Sequence, residues 1–86
     1  MAEYKIVINK SASKELAKLP LDAINRIQQA INELATNPRP ANCKKLKGFK
    51  DLYRVRAGDY RVIYRIEDKQ LIIEVVRIGD RKDIYS

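Results

Sequence analysis

Histidine is absent from this 86-residue sequence. That removes histidine metal ligands, histidine general bases, and the Ser-His and Cys-His pairs of nucleophilic catalysis. Cysteine occurs once, at Cys43, so no disulfide can form within the chain, and a reducing compartment, the cytoplasm, is expected. No apolar run approaches the roughly 20 residues that span a bilayer, and Met1 to Lys10 lack the apolar stretch of a signal peptide. No glycine-rich nucleotide-binding motif is present, so ATP or GTP use is unsupported. Asp51, Asp59, Asp80 and Asp83 stand in or beside expected turns rather than gathered for a metal ion, and read as turn or cap residues. There is no internal repeat and no low-complexity tract.

What is there suits one small domain over residues 1–86. Hydrophobic residues make up 45% and charged residues 34%, enough of each for a core and a solvated surface. A chain this short buries about 60–65% of the surface its unfolded form exposes, which accommodates two packed layers.

Tyr4 to Ile8 reads as a strand. Ser11 offers a helix N-cap, and Ala12, Leu16 and Leu19 follow at helical spacing, so a short helix is expected to about Lys18, before Pro20. Ile24, Ile27, Ile31 and Leu34 mark one face of a second helix, which Asn37-Pro38 ends. The short Leu19-Pro20-Leu21 join predicts an antiparallel helical hairpin. Thr36 to Asp51 is a long connection, with Leu46 and Phe49 expected to pin it to the core. Three strands follow, Leu52–Arg56, Asp59–Ile66 and Gln70–Ile78, joined by tight turns at Ala57-Gly58 and Asp68-Lys69. Gly79 to Ser86 is a polar half-turn or tail. The expected fold is α+β, of order β-α-α-β-β-β, with the helical hairpin packed on one face of a small, mostly antiparallel sheet.

The net charge is +7, and it is concentrated. Between Lys44 and Arg65 stand eight basic residues, Lys44, Lys45, Lys47, Lys50, Arg54, Arg56, Arg61 and Arg65, against Asp51 and Asp59, a net +6. Such a stripe fits a polyanion (nucleic acid, an acidic protein or an anionic surface) or a solubilising face. A membrane surface is the weakest of these, because the basic residues sit in strands rather than on an amphipathic helix.

Strand register turns this stripe into a site. A turn at Ala57-Gly58 would pair Arg56 with Asp59, Arg54 with Arg61 and Leu52 with Ile63. Opposed residues share a face, so Arg54, Arg56, Arg61 and Arg65 project from one side. Tyr53, Val55, Val62, Tyr64 and Ile66 project from the other, joined by Leu71, Ile73 and Val75 from the last strand. The helices need that apolar side, leaving the arginines open. Arg54 opposite Arg61 would be repulsive, and an anion between them would relieve it; Glu74, expected opposite Ile63, is the alternative source of balance.

Converging guanidinium groups suit phosphate. They can hold a nucleic-acid backbone, or stabilise the added charge of a phosphoryl transition state. RNA supplies its own nucleophile, the 2′-hydroxyl, so cleavage without a metal or other cofactor is possible there. Tyr85 is a candidate to stack on a base or to bond the reacting groups.

The element order, the loop Lys45-Leu46-Lys47-Gly48, the run Tyr53-Arg54-Val55-Arg56, the hairpin from Gly58 to Tyr64 and the tail Gly79-Asp80-Arg81-Lys82-Asp83-Ile84-Tyr85 together resemble the RelE branch of the RelE/ParE toxin superfamily. The resemblance covers essentially the whole chain. It implies a RelE/ParE-like fold and the toxin of a type II toxin–antitoxin pair, which cuts mRNA in the ribosomal A site and is silenced by an acidic, RelB-like antitoxin in a hetero-oligomer. It places the catalytic set at Arg54, Arg56, Arg61, Arg81 and Tyr85. Lys44, Lys45, Lys47, Lys50 and Arg65, with outward lysines such as Lys14 and Lys18, are the expected contacts to mRNA and the ribosome. One departure matters. The family pattern has lysines at the positions of Arg54 and Arg56, one of them proposed as general base, and a guanidinium does not accept a proton at neutral pH. Tyr85, a loop lysine (Lys44, Lys45 or Lys47), or water and ribosomal RNA must take that part. A ParE-like gyrase poison without ribonuclease activity and a weakened homologue that only binds antitoxin are the alternatives.

Overall fold

The computed structural model describes residues 3–80. Strand β1, Lys5–Ile8, runs directly into helix α1, Lys10–Ala17. Asn9 makes that transition. Its amide donates to Val75 O at 3.0 Å, closing the strand ladder, while its side-chain oxygen accepts from Ala12 N at 2.8 Å, opening the helix. The N-cap is therefore Asn9 and not Ser11. Asparagine caps at least as well as serine, and the extended backbone at Asn9 (φ −71°, ψ 169°) is what a cap requires. Helix α1 buries Ala12 and Leu16.

Helix α2, Leu21–Leu34, begins after Pro20, which makes no side-chain cap bond; Asp22 in the first turn complements the helix dipole instead. The helix buries Ala23, Ile27, Ile31 and Leu34. Each of the three large side chains contributes about 1.5–3 kcal/mol relative to exposure.

The five strands are β1, β2 (Lys44–Lys45), β3 (Leu52–Ala57), β4 (Tyr60–Glu67) and β5 (Ile72–Asp80), in the spatial order β1-β5-β4-β3-β2. Among the described residues only β1 and β5 pair in parallel. The α+β arrangement is thus the expected one, with β2 added. Two consecutive lysines carry no alternation by which β2 can be read from sequence. It forms because β3 otherwise has an unpaired edge.

Two registers differ from expectation. Ala57 pairs with Tyr60, so the β3–β4 turn is Gly58-Asp59, and Arg56 pairs with Arg61, Arg54 with Ile63 and Leu52 with Arg65. Gly58 takes φ +65°. A two-residue hairpin turn with glycine in its first position suits that geometry, and it moves every partner by two residues without exchanging faces. At the next turn Glu67 pairs with Ile72, giving a loop from Asp68 to Leu71 with Leu71 at φ +55°. Glu74 therefore lies opposite Arg65 and not Ile63.

A bulge then interrupts β4–β5. Tyr64 pairs with Val75 but Ile63 with Arg77, leaving Val76 unmatched. The cause is legible in the side chains. Continued regular pairing would set Arg77 opposite Val62, on the core side. The extra residue turns Arg77 outward and Ile78 inward, and Ile78 is 1% exposed.

The core joins Ala12, Leu16, Ile27, Ile31 and Leu34 of the helices to Val55, Val62, Tyr64, Ile66, Ile73, Val75 and Ile78 of one sheet face. Tyr64 is wholly buried, and its hydroxyl donates to Pro38 O at 2.7 Å. That bond and Cys43 packed on the core anchor the connection after α2. Phe49, expected to do so, is 45% exposed, and Leu46 is half-buried with its amide on Leu52 O. The local reason is the pairing of β2 with β3, which takes up the loop by its backbone.

Candidate functional site

The sheet face away from the helices carries the basic residues. Arg56 and Arg61 oppose each other, Arg54 opposes Ile63, and Arg65 opposes Leu52. Alternation along each strand and shared faces across each pair put Arg54, Arg56, Arg61 and Arg65 on one side. None belongs to the core cluster beneath the helices. Arg56 is exposed, and Arg54, Arg61 and Arg65 are half-buried.

Among the loop lysines, pairing separates Lys44 from Lys45. Lys44 opposes Arg54 and joins the arginine face, whereas Lys45 opposes Tyr53 on the other side. Lys47 and Lys50 are exposed in the segment between β2 and β3. Lys14 and Lys18 are exposed at α1. Arg81 and Tyr85 lie outside the described residues. The placement of Lys44 was hidden from sequence reasoning because β2 was.

Charge on the face is unequal. Arg65 Nη1 binds Glu74 Oε1 at 2.9 Å, so Glu74 balances Arg65. Neither Arg54 nor Arg56 has a carboxylate partner among the described residues. The charge left without a carboxylate among the described residues is therefore that of Arg54 and Arg56. Ile63 lies in the middle of this side, fully buried, with Arg54 opposite it on β3, while Arg77, opposite it on β5, is engaged by Glu15 rather than by the site. Leu52 is 7% exposed. The guanidinium groups thus rise from an apolar floor. Low local polarity strengthens their pull on an anion. A fork of planar donors over such a floor can hold a phosphate bidentately and take the added charge of a five-coordinate phosphorus.

A different polar cluster lies at the opposite end of β4. Asp68 accepts from Tyr4 Oη at 2.6 Å and from Arg39 Nη2 at 2.9 Å. Arg39 also lies 5.2 Å from the Tyr53 ring centre, and Tyr53 stacks on Tyr64 at 6.0 Å. Arg39 first, and then the Tyr4 hydroxyl, hold the Asp68 carboxyl below its ordinary range. The same hydrogen bond pushes the Tyr4 hydroxyl up. A pocket of about 390 Å³ beside it is lined by Asp51, Ile66, Glu67, Asp68, Lys69 and Gln70. Three carboxylates against one lysine do not suit a phosphate. Among the described residues no group of three metal-ligating side chains occurs, and no helix is long and apolar enough to cross a membrane.

Among the described residues, a two-helix layer packs on a mixed five-stranded sheet whose other face carries the arginines, the plan of a small α+β protein. Comparison with known proteins is more specific. The family described as the ParE toxin of the type II toxin–antitoxin system parDE matches residues 6–85. The putative toxin RelE1 of Methanocaldococcus jannaschii is 34% identical over 98% of this chain and 97% of its own. The mRNA interferase toxin RelE of Escherichia coli K12 is 28% identical over 96% of this chain and 90% of its own. The crystal structure of the archaeal RelE–RelB complex from Pyrococcus horikoshii superposes with a TM-score of 0.82 at 34% identity, over 93% of this chain and 97% of that one. The chain belongs to the RelE/ParE superfamily of type II toxins.

Proposed function

We propose that this toxin is an endoribonuclease that cuts mRNA in the ribosomal A site, with Arg54, Arg56 and Arg61 as its phosphate-binding core. The observation that carries this is the gathering of those arginines on the sheet face away from the helical core in a chain similar to a protein named mRNA interferase. In the reaction the RNA's 2′-oxygen attacks the adjacent phosphorus and the P–O5′ bond breaks. The products are a 2′,3′-cyclic phosphate and a free 5′-hydroxyl. One proton leaves the 2′-hydroxyl and one is taken up by the 5′-oxygen. The arginines supply the neutralising charge, so no metal ion is required for it.

Proton transfer needs a group other than these arginines. Of the loop lysines, Lys44 is the one opposite Arg54 on the same face, and it adds a cationic contact to the phosphate, while Tyr85 stacks on the base and, with water and ribosomal RNA, takes the proton. Arg81 completes the charge around the phosphate. Lys47, Lys50 and Arg65, with Lys45 and the α1 lysines around the rim, contact ribosomal RNA. The protein partner is an acidic RelB-like antitoxin, in keeping with the RelE–RelB complex to which the fold is similar. Neutralising the +7 charge would also stabilise the toxin.

The test is to map mRNA 5′ ends on ribosomes after brief expression. A-site cuts that disappear in Arg61→Ala and in Arg81→Ala support the proposal; cuts that persist in both remove it. Because the matching family is described by ParE, gyrase poisoning is the second reading. Inhibited supercoiling with intact mRNA would establish that instead.

A further inference from the structure

We propose that Glu15 is a positioning residue for the arginine site, acting through the backbone of β5. This rests on the ribonuclease reading above. Strand β1 covers the outer edge of β5 only from Ile72 to Val75. The last bond on that edge is Asn9 N to Val75 O, where the chain turns into α1. Past the bulge, the outer edge of β5 meets a helix rather than a strand. Glu15, in the second turn of α1, takes the strand's place. Its Oε1 accepts from Ile78 N at 2.9 Å, its Oε2 from Arg77 Nε at 3.1 Å, and Oε2 lies 3.0 Å from Arg77 Nη2.

The consequence falls on the site. Ile78 pairs with Val62 on its inner side, and the next residue, Gly79, pairs with Arg61. The bulge just upstream has already broken the regular ladder, and a short strand end beyond a bulge frays readily. A charged acceptor on a backbone N–H is among the stronger hydrogen bonds. Glu15 therefore holds the end of β5 against the stretch of β4 that carries Arg61. Misplacing a phosphate-binding group by about 1 Å can cost up to roughly 10²-fold in rate. The apolar anchors of α1, Ala12 and Leu16, are untouched by changing Glu15, so the fold survives and the effect is local.

The experiment compares Glu15→Ala, Glu15→Gln and Arg77→Gln as purified toxins on programmed ribosomes, with amide hydrogen exchange on the same proteins. Glutamine retains an oxygen for Ile78 N–H, and Arg77→Gln retains the carboxylate. The expected result is a kcat lowered by about 10- to 10²-fold in Glu15→Ala at unchanged KM, most of it rescued in Glu15→Gln, and near-wild-type kcat in Arg77→Gln. Exchange at Ile78 and Gly79 should accelerate in Glu15→Ala alone. Wild-type kcat and exchange in Glu15→Ala overturn the proposal, as does an equal loss in all three variants. If Glu15→Ala does not fold, Glu15→Asp, one methylene shorter, replaces it with the same expected loss. If the wild-type protein cleaves nothing, the ribonuclease reading fails. The exchange data then judge the clamp: unchanged rates at Ile78 and Gly79 refute it.

Discussion

Arg56 and Arg61 stand directly opposite each other across the β3–β4 ladder. Like charges in that position cost stability, by an amount comparable to the roughly 0.2–1 kcal/mol of other cross-strand pairs. A sheet selected only for stability would place threonine or an opposite charge there. Arg56 has no carboxylate partner among the described residues, and an anion bound beside it would offset the repulsion.

Replacing one member should therefore separate stability from activity. Arg56→Thr is expected to leave the thermal midpoint unchanged or slightly raised, since threonine suits a strand and the repulsion is gone. Ribosome-dependent cleavage should fall by about 10²-fold or more. Circular dichroism melts and primer extension on the same preparation check both. A large drop in melting temperature would mean that the pair is structural.

Lys44 gives a second test through salt. Each phosphate contact on single-stranded RNA contributes about 0.7 to the slope of log affinity against log salt. Lys44→Gln should make the slope for RNA binding shallower by about that amount, while Lys45→Gln, on the other face at that pair, changes it less. Filter-binding titrations across a salt series measure this. Equal slopes for wild type and Lys44→Gln would place Lys44 away from the RNA.

Gly58 is the one turn residue whose conformation the hairpin requires. A side chain at φ +65° is strained, and its Cβ would come 2.6 Å from Arg26 Nη1. Arginine can swing aside, but the backbone strain cannot be relieved that way. Gly58→Ala should cost about 1–2 kcal/mol, read by urea denaturation. Gly48, at φ +80° with nothing within 4 Å of a Cβ, should pay only the backbone part of any such cost.

Alkaline pH probes the core. Burial, with Cys43 adding to it, raises the Tyr64 hydroxyl above its ordinary 10.0. A raised folded value favours the protonated form. The contribution to stability is whole below pH 10.0 and is lost as pH rises through the folded value. Tyr64→Phe also removes the bond to Pro38 O. It should lower stability at neutral pH by roughly 0.5–1.5 kcal/mol and make the alkaline decline shallower than in wild type. Denaturation midpoints from pH 7 to 11 decide it; identical alkaline slopes would assign the decline to other groups.

Much of this was legible in the residues alone. The 3.6-residue spacing of Ile24, Ile27, Ile31 and Leu34 marked α2, and all but half-buried Ile24 prove buried. Alternation along β3 and β4 sorted Arg54, Arg56, Arg61 and Arg65 from Tyr53, Val55, Val62 and Tyr64. It did so correctly although both turns were misplaced. A slip of two residues preserves faces, so alternation cannot detect it. Phe49 shows the opposite limit: hydrophobicity in a loop does not say whether the core has room for it.

Composition and periodicity by themselves determined the two-layer α+β plan, the basic face and its separation from the core, because those depend on each residue's preference for water or for its near neighbours. Tertiary structure alone decided which arginine meets which, that Lys44 joins them, that Val76 drops out of the ladder, and that Asn9 and Glu15 finish what β1 leaves open. Those outcomes rest on backbone dihedrals at Gly58 and Leu71 and on contacts between residues more than 60 positions apart, such as Glu15 and Ile78, where no local pattern carries the information.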